Sequence, residues 1–191
     1  MSGTTLTSEA ARARLHELLI KYAYQKKRVV LASGRESDFY VDCRGVALSA
    51  EGHALIGQLL LEAAREIDPQ LHAVGGLTMG ADPLASAVAL TSWQQGKPVG
   101  AFLVRKEPKG HGTGQWCEGL QLLPPNAHAV VVEDVITTGG SSLKAVERAR
   151  EAGLRVSGVV AMVDRDEGGR AHLEAAGLTV RALFKRGDFP S

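Results

Sequence analysis

Two stretches of this chain read "AHAVVVE" and "RVSGVVAMVD", and a helical run, "SLKAVERAREAG", lies between them. A strand with one wet face alternates apolar and polar residues; these do not, and Val130, Val131 and Val132 follow one another without a break. Such strands have to be covered on both faces, and a helical crossover between two of them makes the pair parallel. The pattern recurs. "LHAVGGL" leads through "PLASAVALTSWQQ", with Pro83 near the helix start, to "PVGAFLVR", and "RVSGVVAMVD" leads through "GGRAHLEAAG" to "TVRALFK". The expectation is an α/β fold, a central parallel sheet flanked by helices, with ligands beyond the carboxyl ends of the strands.

The segments before this alternation read differently. The first element is expected to be an amphipathic helix with Ser8 as N-cap, Glu9 in the first turn, and Ala11, Leu15, Leu18, Leu19 and Tyr22 on one face. "VVLASG" and "DFYVDCRG" read as strand, Ser-Gly turn and strand. A second helix is expected from 49 to about 66, with Leu55, Leu59 and Leu60 inward and Asp68-Pro69 beyond its end. One connection breaks the rhythm: "RKEPKGHGTGQWCEGLQLLPP", from Arg105 to Pro125, has three glycines within five residues and no period at its start. A polar connection this long inside a compact domain is functional or disordered.

Composition narrows the class. The 191 residues suit one domain, and 45% hydrophobic with 23% charged residues suits a packed core. A formal charge of +1 offers no global field for nucleic acid. No apolar run approaches the ~20 residues that span a bilayer, so no membrane partner is expected, and "MSGTTLTSEAARARLHELL" lacks the basic-then-apolar form of a secretory signal. Cys43 and Cys117 lie far apart in no metal-ligand spacing and read as reduced thiols of a cytoplasmic protein. His16, His53, His72, His128 and His172 show no metal or triad spacing and read as structural or exposed. Trp93 and Trp116 are not interleaved with basic residues as in a nucleic-acid surface.

The chemistry concentrates in "VVVEDVITTGGSSLK". Glu133 and Asp134 are expected to emerge at the end of a buried strand, on opposite sides. Thr137 to Ser142 then form a small-residue loop running into a helix that starts near Ser141 or Ser142. A helix N-terminus with free N–H groups is an anion site suited to phosphate, and Gly139 and Gly140 let a ligand approach the backbone. Carboxylates repel phosphate; they accept hydrogen bonds from vicinal hydroxyls or hold waters around a divalent metal. A phosphate at one end with a diol beside it describes a ribose 5-phosphate. No GxxxxGK[ST] P-loop is present, and "GHGTGQWC" has neither the third glycine nor the following helix of a dinucleotide site.

These residues resemble a known family. "VVVEDVITTGGSS" is similar to the 5-phosphoribosyl 1-pyrophosphate (PRPP) motif of the type I phosphoribosyltransferases, and the likeness runs from "SGRESDFYVD" to "VDRDEGG". The loop "RKEPKGHG" resembles the orotate branch, where a similar Arg-Lys-x-x-Lys-x-His pattern closes over the substrates. The resemblance implies a single domain, 1–191, with a hood from residues 1–45 plus the C-terminal segment, a core at about 46–165 and a flexible lid at 105–119. It implies conversion of orotate and PRPP to orotidine 5′-monophosphate and pyrophosphate in pyrimidine synthesis. Glu133 and Asp134 would hold the ribose hydroxyls, within a PRPP stretch that continues through Val135, Ile136, Thr137, Thr138, Gly139, Gly140 and Ser141; Thr137 to Ser142 would cradle the 5′-phosphate. Arg105, Lys106, Lys109 and His111 would contact pyrophosphate, and Lys109, His111 and Asp134 form the implied catalytic set. Thr137 and Arg165 would address orotate in a pocket lined by Tyr40 and Val41. "GGLTMGADP" aligns with the pyrophosphate loop. Mg²⁺ is implied as cofactor, held mainly by PRPP and water with no direct protein ligand, and so is a homodimer whose lids reach into the neighbouring sites. Some members carry a lysine where this chain has Ala32, with Arg35 nearby, and a Tyr-Lys pair where it has Met79 and Gly80. A purine-base transferase and a non-catalytic PRPP-binding regulator are the alternatives; the first does not usually carry this basic loop, and the second needs an output surface.

Overall fold

The structure, a computed structural model, describes residues 6–30, 36–108 and 115–190. The chain begins with helix α1 (Ser8–Tyr22), followed by strands β1 (Tyr24–Val30) and β2 (Glu36–Val41), which pair as an antiparallel ribbon. A one-turn helix α2 (Arg44–Ala47) precedes α3 (Ala50–Ile67). The alternating part runs β3 (Ala73–Leu77), α4 (Asp82–Gln94), β4 (Gly100–Val104), β5 (Cys117–Glu118), β6 (His128–Ile136), α5 (Gly140–Glu151), β7 (Arg155–Asp164), α6 (Gly169–Ala175) and β8 (Thr179–Lys185), and ends in a 3-10 turn, Arg186–Asp188.

The six strands from β3 to β8 form one sheet in the order β5-β4-β3-β6-β7-β8. All are parallel to their neighbours except β5, which runs antiparallel to β4. The uninterrupted valine run now has its reason. Val130 and Val132 pack into a core with α1, α3 and α4, whereas Ala129 and Val131 pack into a second core with α5 and α6. Burying a valine contributes roughly 1.5–3 kcal/mol, so a polar residue at any of these places loses on either face. β3 and β6 are neighbours, and the chain leaves them in opposite directions, toward β4 and toward β7. Their carboxyl ends therefore open a crevice at the reversal of strand order, where ligands of such sheets sit.

Local details differ from the sequence expectation in four places. The α1 cap is Thr7, whose side chain accepts from the Ala10 N–H; Ser8 instead donates to Glu62 at 2.9 Å. Ala11, Leu15, Leu18 and Leu19 are buried as expected, but Tyr22 is 63% exposed, because the stripe runs out into solvent in the last turn. The connection after Arg105 is built on a stem: β5 pairs with β4 in the register Leu103–Glu118 and Val104–Cys117, and the Arg105 N–H donates to Trp116 O at 2.8 Å. β6 continues to Ile136, so Glu133 and Asp134 lie inside the strand and not at its end.

The two ends of the chain meet over the sheet. The rings of Tyr24, Phe39 and Phe189 pack with centroids 5.3–5.6 Å apart, and Tyr24 Oη donates to Pro190 O at 2.8 Å. Arg186 pairs with Asp38 across the same junction. The C-terminal turn is thereby fastened to the ribbon.

Candidate active site

The loop after β6 is held from behind. Gly139 sits at φ 80, a left-handed conformation that costs L-residues with side chains about 1–2 kcal/mol. A Cβ there would also lie 2.9 Å from Gly169 O. Gly169 approaches so closely that a Cβ of its own would collide with Thr137 O. The Gly169 N–H donates to Thr137 O at 3.0 Å, and His172 Nδ1 lies 3.0 Å from Thr138 O. The loop's carbonyls are thus engaged by α6, while the first N–H groups of α5 have no partner within their helix. Thr138, Gly140 and Ser141 are all exposed. The helix starts at Gly140, a residue or two earlier than expected. Sequence reading missed Gly169 and His172 as supports; the "EGG" before α6 was the available signal.

The two acids have different surroundings. Glu133 is only 6% exposed, and Ser142 Oγ donates to its Oε2 at 2.7 Å. Burial pushes its carboxyl up to about 8; the Asp134 charge adds to this and the Ser142 hydrogen bond opposes it. Asp134 is half-buried, and its Oδ1 accepts from the Val135 N–H at 2.9 Å. It faces the turn after β3, where a Cβ on Gly80 would lie 2.9 Å from Asp134 Oδ1. The absence of a side chain at Gly80 is what lets this turn close on the acid. Asp134 therefore lies between the loop after β6 and the turn after β3.

Arg165 is 7% exposed at the end of β7. Its N–H donates to Ile136 O at 3.0 Å, its Nη2 donates to Phe39 O at 2.8 Å, and the same nitrogen pairs with Glu167 at 3.0 Å. It ties the sheet edge to the ribbon beside Tyr40, which is half-buried under Lys27 Nζ at 4.2 Å. Val41 and Ile136 have core side chains, and Val135 packs against the core, so these three offer a ligand chiefly their backbone. Thr137 is half-buried at the start of the loop. Arg105 pairs with Glu118 at 3.0 Å across the stem, and Lys106 is exposed at its tip. Ala32, Arg35, Lys109 and His111 lie outside the described residues. Cys43 and Cys117 are free and buried.

No protein-family model matches the chain. It is 53% identical over 178 residues to an orotate phosphoribosyltransferase of Sorangium cellulosum, covering 93% of this chain and 92% of the relative. It is 47% identical over 186 residues to one from a Bradyrhizobium species, covering 96% and 100%. The crystal structure of Mycobacterium tuberculosis orotate phosphoribosyltransferase in complex with PRPP matches with a TM-score of 0.75 at 38% identity, over 93% of this chain and 98% of that one. A small-residue loop backed by α6 beside an acid, an arginine joining sheet to ribbon, and likeness over more than nine-tenths of the chain at this identity all agree: the chain belongs to the orotate phosphoribosyltransferases.

Proposed function

We propose that the chain joins orotate N1 to the anomeric carbon of PRPP, releasing pyrophosphate and forming orotidine 5′-monophosphate, a step of pyrimidine synthesis. The observation that carries this reading is the meeting of the α5 N-terminus, Asp134 and the Gly80 turn at the carboxyl ends of two adjacent strands. That crevice offers one position for a phosphate, one for a diol and one for a second anionic group.

The exposed N–H groups at Thr138, Gly140 and Ser141 take the 5′-phosphate, and the helix dipole favours its charge. Asp134 accepts from the ribose hydroxyls. Glu133, beneath the loop, holds the first turn of α5 to β6 through Ser142. Pyrophosphate lies toward the turn after β3, within reach of the Arg105–Lys106 end of the stem; the Arg105–Glu118 pair is half-exposed and weak enough to be exchanged for a phosphate oxygen. The Arg165 guanidinium addresses the orotate carboxylate. Orotate N1 approaches C1 on the face opposite the leaving group. The sugar gains positive charge while pyrophosphate oxygens gain negative charge, and fixed donors around the latter lower the barrier.

Mg²⁺ fits this site as a partner of the substrate. Among the described residues no three acidic, histidine or cysteine side chains gather to hold a metal, and the oxygen donor facing the crevice is Asp134. Asp134 would hold the ion through water, and the ion would neutralise pyrophosphate charge. We place the enzyme in the cytoplasm as a homodimer in which Lys109 and His111 of one chain complete the other chain's site, excluding water from the reacting centre. The direct test is an absorbance assay of orotate consumption with PRPP and Mg²⁺, with adenine, hypoxanthine and uracil as competing bases. Consumption of orotate alone is the expected result; preference for a purine overturns the base assignment.

A further inference from the structure

Trp116 stands where the long connection rejoins the sheet. Its carbonyl accepts from the Arg105 N–H, so it is the cross-strand neighbour of the first basic residue of that connection. Its indole is partly buried, with one side packed against the second core. The Arg148 guanidinium lies 3.9 Å from the ring centroid and Lys144 Nζ lies 5.8 Å away. Both cations belong to α5, one turn apart. Arg148 is steadied by Glu151 at 2.6 Å, and its carbonyl faces Cys117 Sγ at 3.6 Å. The stem thus rests on α5 through the stacked Trp116 ring and the neighbouring buried Cys117 thiol.

The head of that same helix is the phosphate cradle. A helix rises about 1.5 Å per residue, so Lys144 stands roughly 6 Å along the axis from Gly140. The helix is stiff over such a span, and its other side is fixed in the core by Ala145, Val146 and Ala149. The stem end carrying Arg105 and Lys106 is therefore braced against this rigid helix as well as held in the sheet. PRPP carries its two charged ends on opposite sides of one sugar ring, and a protein that grips both must fix the distance between its two grips.

We propose that Trp116 is a positioning residue for PRPP: stacked on Arg148 and Lys144, it holds the Arg105–Lys106 end of the stem at the span from the 5′-phosphate cradle that PRPP requires. This rests on the substrate reading given above. Plain packing would predict a different outcome, because a residue that only supports α5 affects every ligand of the cradle alike.

The test compares ligands that reach one grip with the ligand that reaches both. Binding of PRPP and of ribose 5-phosphate is titrated calorimetrically on wild type, Trp116→Leu, Trp116→Phe and Arg148→Met. Trp116→Leu is expected to weaken PRPP about tenfold, the scale of a stacked cation pair, and to leave ribose 5-phosphate unchanged. Trp116→Phe, which keeps a ring face, should recover most of the loss. Arg148→Met removes the cation from the other side and should show the same selectivity; it supplies the answer if Trp116→Leu does not fold. Equal weakening of both ligands, or unchanged PRPP binding in both Trp116→Leu and Arg148→Met, overturns the proposal. Wild type that binds no PRPP sinks the substrate reading and this inference with it, whereas wild type and variants that bind PRPP equally sink this inference alone.

Discussion

Ser142 Oγ donates a 2.7 Å hydrogen bond to Glu133 Oε2, pinning the first turn of α5 to the strand beneath it. Because burial raises the Glu133 carboxyl above its ordinary 4.5 to about 8, the folded chain keeps a proton that the unfolded chain releases. The stability tied to that proton is fully present below the unfolded value and is lost as pH rises toward the folded one. Urea unfolding measured across this window should show a decline on the order of a few kcal/mol in wild type. Glu133→Gln keeps an acceptor for Ser142 and cannot ionise, so its decline should be much shallower. Equal slopes for the two proteins would mean that Glu133 is ionised when folded.

Asp134→Asn should fold nearly as well as wild type, since this half-buried carboxylate has no cationic partner among the contacts described. PRPP use should fall severely, because an amide is a poorer acceptor for a ribose diol and carries no charge toward a hydrated metal. Unchanged KM and kcat would remove Asp134 from the ribose.

Arg165→Ala should raise the orotate KM roughly 10- to 100-fold, the cost of a lost charge-assisted pair of about 1.5–3 kcal/mol, with PRPP affinity little changed. Burial adds a second effect. Removing the guanidinium leaves Glu167 and Phe39 O without that donor, so thermal stability should drop as well. The double variant Arg165→Ala/Glu167→Gln should regain stability without regaining orotate affinity. Loss of PRPP binding with orotate binding kept would reverse the assignment of the site.

Mixing two dead variants tests the shared site. Lys109→Ala has an intact pocket and a defective connection; Asp134→Asn has the opposite. Refolded together with random pairing, half the dimers are mixed and each has one complete site, so about a quarter of all sites should work if the connection serves its neighbour. Activity that stays at the level of the separate variants means that each connection serves its own chain.

The valine run announced the parallel sheet, because a strand buried on both faces has no polar alternation. The loop of small residues leading into α5 was equally legible, with Gly139 in the left-handed conformation at the helix cap. Glu133 was misplaced: an acid after three valines reads as a strand end, yet the strand runs on to Ile136 and α5 covers the acid. His172 supports Thr138 from 34 residues away, and nothing in its immediate sequence encodes that distance. The two residues of β5 and the four of α2 are too short to carry a period. Thr7 and Ser8 are equally good caps, and only the folded geometry chooses between them.

The reversal of strand order between β3 and β6 gathers distant parts of the chain around one crevice. The loop between β6 and α5 comes from the middle of the sequence, while the first ribbon and the final turn, joined by Tyr24, Phe39 and Phe189, come from far apart in it. Those two regions share few covalent neighbours. Exchanging the ribbon and the final turn as a set would therefore keep their ring packing together and leave the unit of β6, its loop and α5 covalently untouched.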